Sequence, residues 1–191
     1  MTNMIKEIIK SNRSYRRFLP DREIKREVLL DLVDSARCSA SAGNLQRIRF
    51  ALFNTKEKNR QIFDSLAFAA YLKDVWQGPT VDEQPSAYVV LLTEKKPDVN
   101  LAIDIGIAAQ SILLTATEQG IGGCIFRSFS AEKLTSLLEC DKYSPELVVA
   151  LGYPSEKVVL TDVKNGDIKY YRDERDVHFV PKYSTEELVI N

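Results

Sequence analysis

The stretch DIGIAAQSILLTATEQGIGG, Asp104 to Gly123, decides how the fold is read. Ile105, Ala108, Ala109, Ile112, Leu113 and Ala116 recur at helical spacing, and with Leu101 they predict one long helix over Val99 to Gln119. Gly120 stops it, because a residue without Cβ enters the left-handed region at little cost. The small residues Gly106, Ala108 and Ala109 would let another helix come close. Beyond Gly120 a strand is expected near Gly123 to Phe126. A dinucleotide fingerprint has the opposite order, in which glycines follow a strand and open a helix whose N-terminus faces pyrophosphate. Helix, glycines, strand therefore excludes that reading, and no GxxxxGK[ST] loop is present for a nucleoside triphosphate.

Outward from this helix, SAYVVLLT (Ser86 to Thr93) is a continuous apolar run of strand length, suited to a sheet covered on both faces. Glu146 to Leu151 is a second such run, and RFALF (Arg49 to Phe53) a shorter one. A short amphipathic start carries Ile5, Ile8 and Ile9, and Glu27 to Arg37 has apolar residues at helical spacing. Asn54 with Glu57 offers a cap for a helix toward Leu66, and Ser130 starts a helix carrying Leu134, Leu137 and Leu138. Helices and strands mix without strict alternation, which favours an α+β fold: three layers, with a mostly antiparallel central sheet flanked by helices. Residues 67 to 85, with Tyr71 and Trp76, read as a variable excursion. The polar and aromatic tail from Lys157 onward is not expected to pack as a compact unit of its own. The whole, 1–191, reads as one domain with a C-terminal extension from about 157.

Composition narrows the function. A 45% hydrophobic, 28% charged chain of net charge -1 gives no electrostatic reason to expect nucleic acid or a membrane surface, so any anion site is local. The stretch MTNMIKEIIK is neither a signal-peptide core nor a membrane span. Cys38, Cys124 and Cys140 form no disulfide framework or CxxC motif, which fits reduced thiols in a cytoplasm. His178, the sole histidine, cannot build a zinc site of several imidazoles and reads as an ordinary surface or core residue. No GxSxG elbow surrounds a serine. An enzyme with this sequence would rely on a cofactor for its chemistry.

Two segments are candidates for holding one. SASAGNLQ, Ser39 to Gln46, is either a plain connecting loop or a loop whose backbone N–H groups and one amide reach a ligand. In Asn12 to Phe18, Arg13 and Arg16 around Ser14 could grip a phosphate through forked donors and a hydroxyl; a solvated basic connector is the other reading.

Taken in order, these segments resemble the nitroreductase family of flavin-dependent oxidoreductases. RSYRRF is similar to its N-terminal Arg-Ser-x-Arg segment, and SASAGNLQRIRF to its Ser-x-x-Asn-x-Gln loop and strand. DIGIAAQSILLTATEQGIGG is similar to its Asp-x-Gly-x-Ala-x-Gln helix ending in Gly-Leu-Gly, LGYP (Leu151 to Pro154) to the strand end that follows, and the tail KYYRDERDVHFVPK to closing segments seen in one subset of the family. The resemblance implies a nitroreductase-like homodimer holding FMN at the subunit interface. The FMN would take hydride from NADH or NADPH and pass electrons to nitroaromatic, quinone or related small-molecule acceptors. A flavin-binding protein with little turnover is the alternative. Arg13, Ser14 and Arg16 would contact the FMN phosphate, ribityl chain and pyrimidine edge. Ser41, Ala42 and Asn44, with Gln46 alongside, would serve the partner subunit's flavin. Gly122 and Gly123 would form the turn near N5 and O4, and Lys182, or as second candidate Arg172, would be the basic group near the phosphate. Tyr71 or Trp76 would either cover the flavin or simply pack. No side chain is expected to act as nucleophile, and no metal is expected. Asn12, Ala40 and Arg47-Ile48 depart from the family's usual residues.

Overall fold

The computed structural model describes residues 3–67, 76, 78–94, 96–138 and 140–191. Strand β2 (Ala87–Thr93) is buried along its whole length, because it is paired on both edges. Both of its faces are also covered, Val89 and Leu91 in one apolar cluster and Tyr88 and Val90 in the other. It runs antiparallel to β1 (Arg49–Phe53) and to β4 (Ser144–Gly152), and β4 pairs antiparallel with β3 (Gly122–Phe126), giving the order β1-β2-β4-β3. Alternation along the strands divides the apolar residues between two faces. Val89, Leu91, Val149 and Leu151 pack with helices α2 (Arg26–Arg37) and α4 (Val99–Glu118). Tyr88, Val90, Val148 and Ala150 pack with Ile62 of α3 (Lys56–Phe63) and Leu134 of α5 (Ala131–Leu138). Each fully buried Val or Leu contributes about 1.5–3 kcal/mol, so the continuous apolar runs of β2 and β4 anchor the sheet. The mixed α+β composition and antiparallel sheet are as expected.

The long helix also follows its sequence. Asp98 caps α4 by accepting from the Leu101 N–H at 2.8 Å, and Gly120 ends it at φ +72. Ala108 and Ala109 face inward, where α2 lies against α4; Ser39 with Ser111 (2.6 Å) and Thr115 with Ser35 (2.9 Å) add hydrogen bonds along that contact. Val99, Ile103, Gly106 and Ile107 face outward. One cap differs from expectation. Thr55 accepts from the Lys58 N–H to start α3, whereas the Asn54 amide donates to the Ile24 carbonyl at 3.1 Å. Asn54 is thereby spent on joining β1 to the loop before α2.

The tail corrects the expectation that it forms no unit of its own. β5 (Val158–Asp162), β6 (Tyr171–Arg172) and β7 (His178–Lys182) make a second sheet, in which β5 and β7 are parallel and β6 and β7 antiparallel. Charge, rather than an apolar stripe, fastens it, which is why hydrophobic periodicity does not reveal it. Glu156 accepts from the backbone N–H groups of Arg16 and Arg17 and from the Arg172 guanidinium. Arg17 reaches Glu83 at 3.3 Å and also pairs with Asp176. The Glu156 and Arg172 side chains are 2% and 10% exposed, and removing one partner of such a buried pair costs about 3–5 kcal/mol. The residues after helix α1 (Met4–Ser11) are thus tied to the chain's last strands.

Candidate functional site

A cavity of about 310 Å³ lies where these remote segments meet. Asn12, Arg13, Ser14 and Arg16 form one wall, Gln110 and Leu113 of α4 with Gly123 of β3 another, and β7 a third. Period-two alternation points His178, Val180 and Lys182 of β7 to the same side, and all three line the cavity, as does Tyr170. Backbone contacts hold the first wall: Ser14 bridges Gly123, and the Tyr15 N–H donates to the Gly123 carbonyl at 3.0 Å. The structure therefore brings together Arg13, Ser14, Arg16, Gly123 and Lys182 from the sequence-derived set.

The lining carries three cations and no carboxylate. Arg13 spends one terminal nitrogen on the Ile9 carbonyl at 2.8 Å, while its buried Nε has no partner among the described residues. Burial also pulls the Arg13 guanidinium below its ordinary pKa. Arg16 lies 4.8 Å from the centre of the Tyr170 ring. Such a concentration of positive charge, partly desolvated, binds an anion well. It contains no nucleophile paired with a base, and no cluster of three metal-ligating side chains occurs among the described residues.

His178, which in sequence reads as an ordinary surface or core residue, is buried at 1% exposure and lines this cavity. Neither ring nitrogen has a hydrogen-bond partner among the described residues. Burial, and then the Arg16 guanidinium, push its pKa down to about 4 against the opposing pull of Glu156. The imidazole is therefore neutral. The alternation His178, Val180, Lys182 is the available sequence signal, and the polar, aromatic composition around it masks β7 as a strand.

Two expectations about small residues change. Gly122 and Gly123 are the first residues of β3 and not a turn. Their missing side chains make room for protein: a Cβ at Gly122 would lie 2.5 Å from Pro154 and 2.6 Å from Tyr15, and one at Gly123 2.5 Å from Leu113 and 2.8 Å from the Ala150 carbonyl oxygen. Arg172, committed to Glu156 and Asp176, is also absent from the cavity lining. Trp76 sits between the Arg17 and Arg172 guanidiniums, 5.6 and 5.5 Å from its ring centre. Tyr71 lies outside the described residues.

The loop from Ser39 to Gln46 stands apart from this cavity. It contacts α4 at Asp104 and Ser111, and none of its residues lines the cavity. The Ala42 N–H donates to the Asp104 carboxylate at 2.9 Å, so that donor is already used. Gly43, Asn44 and Gln46 take φ of +57, +52 and +48, and a side chain in that region costs about 1–2 kcal/mol. The contacts around them hold the shape: Ser41 Oγ accepts from the Gln46 N–H, and Arg49 donates to the Gln46 carbonyl at 2.8 Å. Arg47 forks onto Asp98 at 2.8 and 3.2 Å, which lowers the Asp98 pKa to about 2. Ser41, Gln46 and Asp104 border a separate cavity of about 180 Å³. Thus Ser41, Ala42, Asn44 and Gln46 are not brought to the cationic cavity within one chain.

Residues 9–153 match the nitroreductase family. A Methanothermobacter thermautotrophicus protein named "Putative NADH dehydrogenase/NAD(P)H nitroreductase" is 29% identical over 169 residues, spanning 84% of this chain and 83% of its own length. A nitroreductase family protein from Clostridium novyi NT superposes with a TM-score of 0.64 at 21% identity, covering 96% of this chain and 97% of that one. The FMN-dependent nitroreductase NfnB from Mycobacterium smegmatis, solved with NADPH, superposes with a TM-score of 0.62 at 18% identity, covering 78% and 87%. The family match stops at Tyr153, before the strand that carries His178 and Lys182.

Proposed function

Because this chain belongs to the nitroreductase family, we propose that it is an FMN-dependent oxidoreductase passing electrons from NADH or NADPH to nitroaromatic, quinone or related small-molecule acceptors. The observation that carries this reading is the cationic cavity: Arg13, Arg16 and Lys182 converge, without a carboxylate, in a protein of net charge -1. The orphaned Arg13 Nε fits a bound anionic group, and the mixture of donors, amides and apolar walls fits a phosphate on a polyol joined to a flat ring. Arg13 and Lys182 hold the phosphate, the Ser14 hydroxyl meets the polyol, and Arg16 places positive charge at the pyrimidine edge. Bound FMN would supply the centre that accepts hydride and delivers electrons. The chain's own residues bind it, orient it and keep its surroundings electropositive, which favours added electrons.

The same reading makes the active form a homodimer of one-domain, three-layer subunits. Ligand pockets span about 300–1,000 Å³, so a cavity of about 310 Å³ suits one half of a shared site. The outward apolar residues of α4 flank the Ser39–Gln46 loop, which supports a second copy covering that face and receiving Ser41, Ala42, Asn44 and Gln46 at its own flavin. Gly122 and Gly123 bring the backbone of β3 to the flavin ring.

Purified protein mixed with FMN and freed of excess should be yellow and should bleach under nitrogen when NADH or NADPH is added. Retained FMN that neither nucleotide reduces would leave a flavin carrier, and protein that takes up no FMN would refute the reading.

A further inference from the structure

Within that reading of the cavity, we propose that His178 is a ligand-binding residue whose Nε2 accepts a hydrogen bond from the bound flavin. The geometry begins with an imbalance. The cavity's charged groups, Arg13, Arg16 and Lys182, can only donate, whereas a flavin also presents donors, namely the ring N3–H and the ribityl hydroxyls, which call for acceptors such as Asn12, Ser14, Gln110, Tyr170 and His178. A neutral imidazole is both donor and acceptor. His178 is buried, lines the cavity, and leaves both ring nitrogens without a partner among the described residues. An unmade hydrogen bond at a buried polar atom costs about 1–3 kcal/mol, so an ordinary core position would have been better filled by an apolar residue.

The surroundings also choose the tautomer. Glu156 Oε2 lies 3.9 Å from Nδ1 and draws the ring proton to Nδ1. Arg16, from the segment after α1, and Arg172, from β6, oppose a second proton; Asp176 favours one, and Tyr170 closes the ring's edge at 5.3 Å with its own aromatic face. Burial and Arg16 together hold the pKa near 4. The outcome is a neutral ring with Nδ1–H toward Glu156 and the Nε2 lone pair left for a ligand. Glu156 acts here as a positioning residue.

His178 is the sole histidine, so protein labelled with 15N-histidine gives one imidazole signal. Its two nitrogens should show the neutral Nδ1–H form from pH 8 to pH 5.5, and saturation with FMN should move the Nε2 resonance toward lower frequency, as for a lone pair engaged by a donor. FMN methylated at N3 separates the two sources: loss of the shift assigns the ring N–H, and its retention assigns a ribityl hydroxyl. His178→Phe should weaken FMN binding roughly tenfold, while His178→Gln, which restores an acceptor, should stay within about threefold of the parent. Bound FMN, scored by quenched flavin fluorescence, with an unmoved Nε2 signal would overturn the role of His178 alone. Absence of FMN binding by the parent protein would overturn the cavity reading and this role together.

Discussion

Gly123→Ala separates two uses of one residue. Gly123 lines the cationic cavity, but the structure also places protein where its Cβ would go. The added methyl would sit 2.5 Å from Leu113 Cδ2, 3.1 Å from Leu151 Cδ2 and 2.8 Å from the Ala150 carbonyl oxygen. The leucine methyl groups can turn aside, although Leu113 is buried in the core. The carbonyl cannot, because β4 is held between β2 and β3: Ala150 pairs with Tyr88 on one side and Cys124 on the other. Overpacking against a fixed backbone costs about 1–3 kcal/mol, and the upper end applies here. For a domain of this length each kcal/mol lowers Tm by about 2–4 °C, so protein free of FMN should melt about 6–12 °C lower. Gly120→Ala is the internal control, since its Cβ meets nothing within 4 Å and only its φ of +72 opposes a side chain; it should cost about 1 kcal/mol. Differential scanning calorimetry on both variants without flavin decides the matter. An unchanged Tm for Gly123→Ala would refute the packing argument and return the glycine to ligand access alone.

Arg13→Ala combined with Arg16→Ala should weaken FMN binding about a hundredfold or more, each charged contact being worth about 1.5–3 kcal/mol; equilibrium dialysis yielding parental affinity would remove both from the site. Stability should fall on acidification between pH 6.5 and 4, because the unfolded chain takes up a proton at His178 before the folded one, whose pKa is about 4. The loss is at most about 3 kcal/mol, and urea titrations of His178→Phe should show a flatter profile over that window. Glu156→Gln leaves Arg172 without its buried partner, so hydrogen exchange should quicken in β5, β6 and β7 while β2 stays protected.

Much of the central sheet could be read from the chain itself. β2, β4 and α4 are continuous apolar runs or broad stripes, and these announce themselves because burial on both faces demands them. The tail sheet is illegible for the converse reason: Arg17 pairs with Asp176 across 159 positions and Glu156 accepts from the backbone of Arg16 and Arg17 across 140 and 139, and no local pattern encodes such pairings. The candidate site inherits this division. Arg13, Ser14 and Arg16 stood out as a local cluster and Lys182 through family resemblance, whereas His178 looked unremarkable until β7 set it beside them. Gly122 and Gly123 were recognised, but which neighbour claims their empty Cβ positions depends on Tyr15, Pro154 and Leu113, three segments brought in by tertiary folding.

The third wall of the cationic cavity, contributed by β7, also sets a time order. Arg13 and Arg16 leave the ribosome roughly 10–30 s before His178 and Lys182 at a translation speed of about 5–20 residues/s. During that interval the guanidiniums stand beside an open flank. A ligand that needs all three walls is therefore enclosed only after β7 has emerged, and a chain ending between residues 153 and 177 would carry every strand of the central sheet without the wall that β7 supplies.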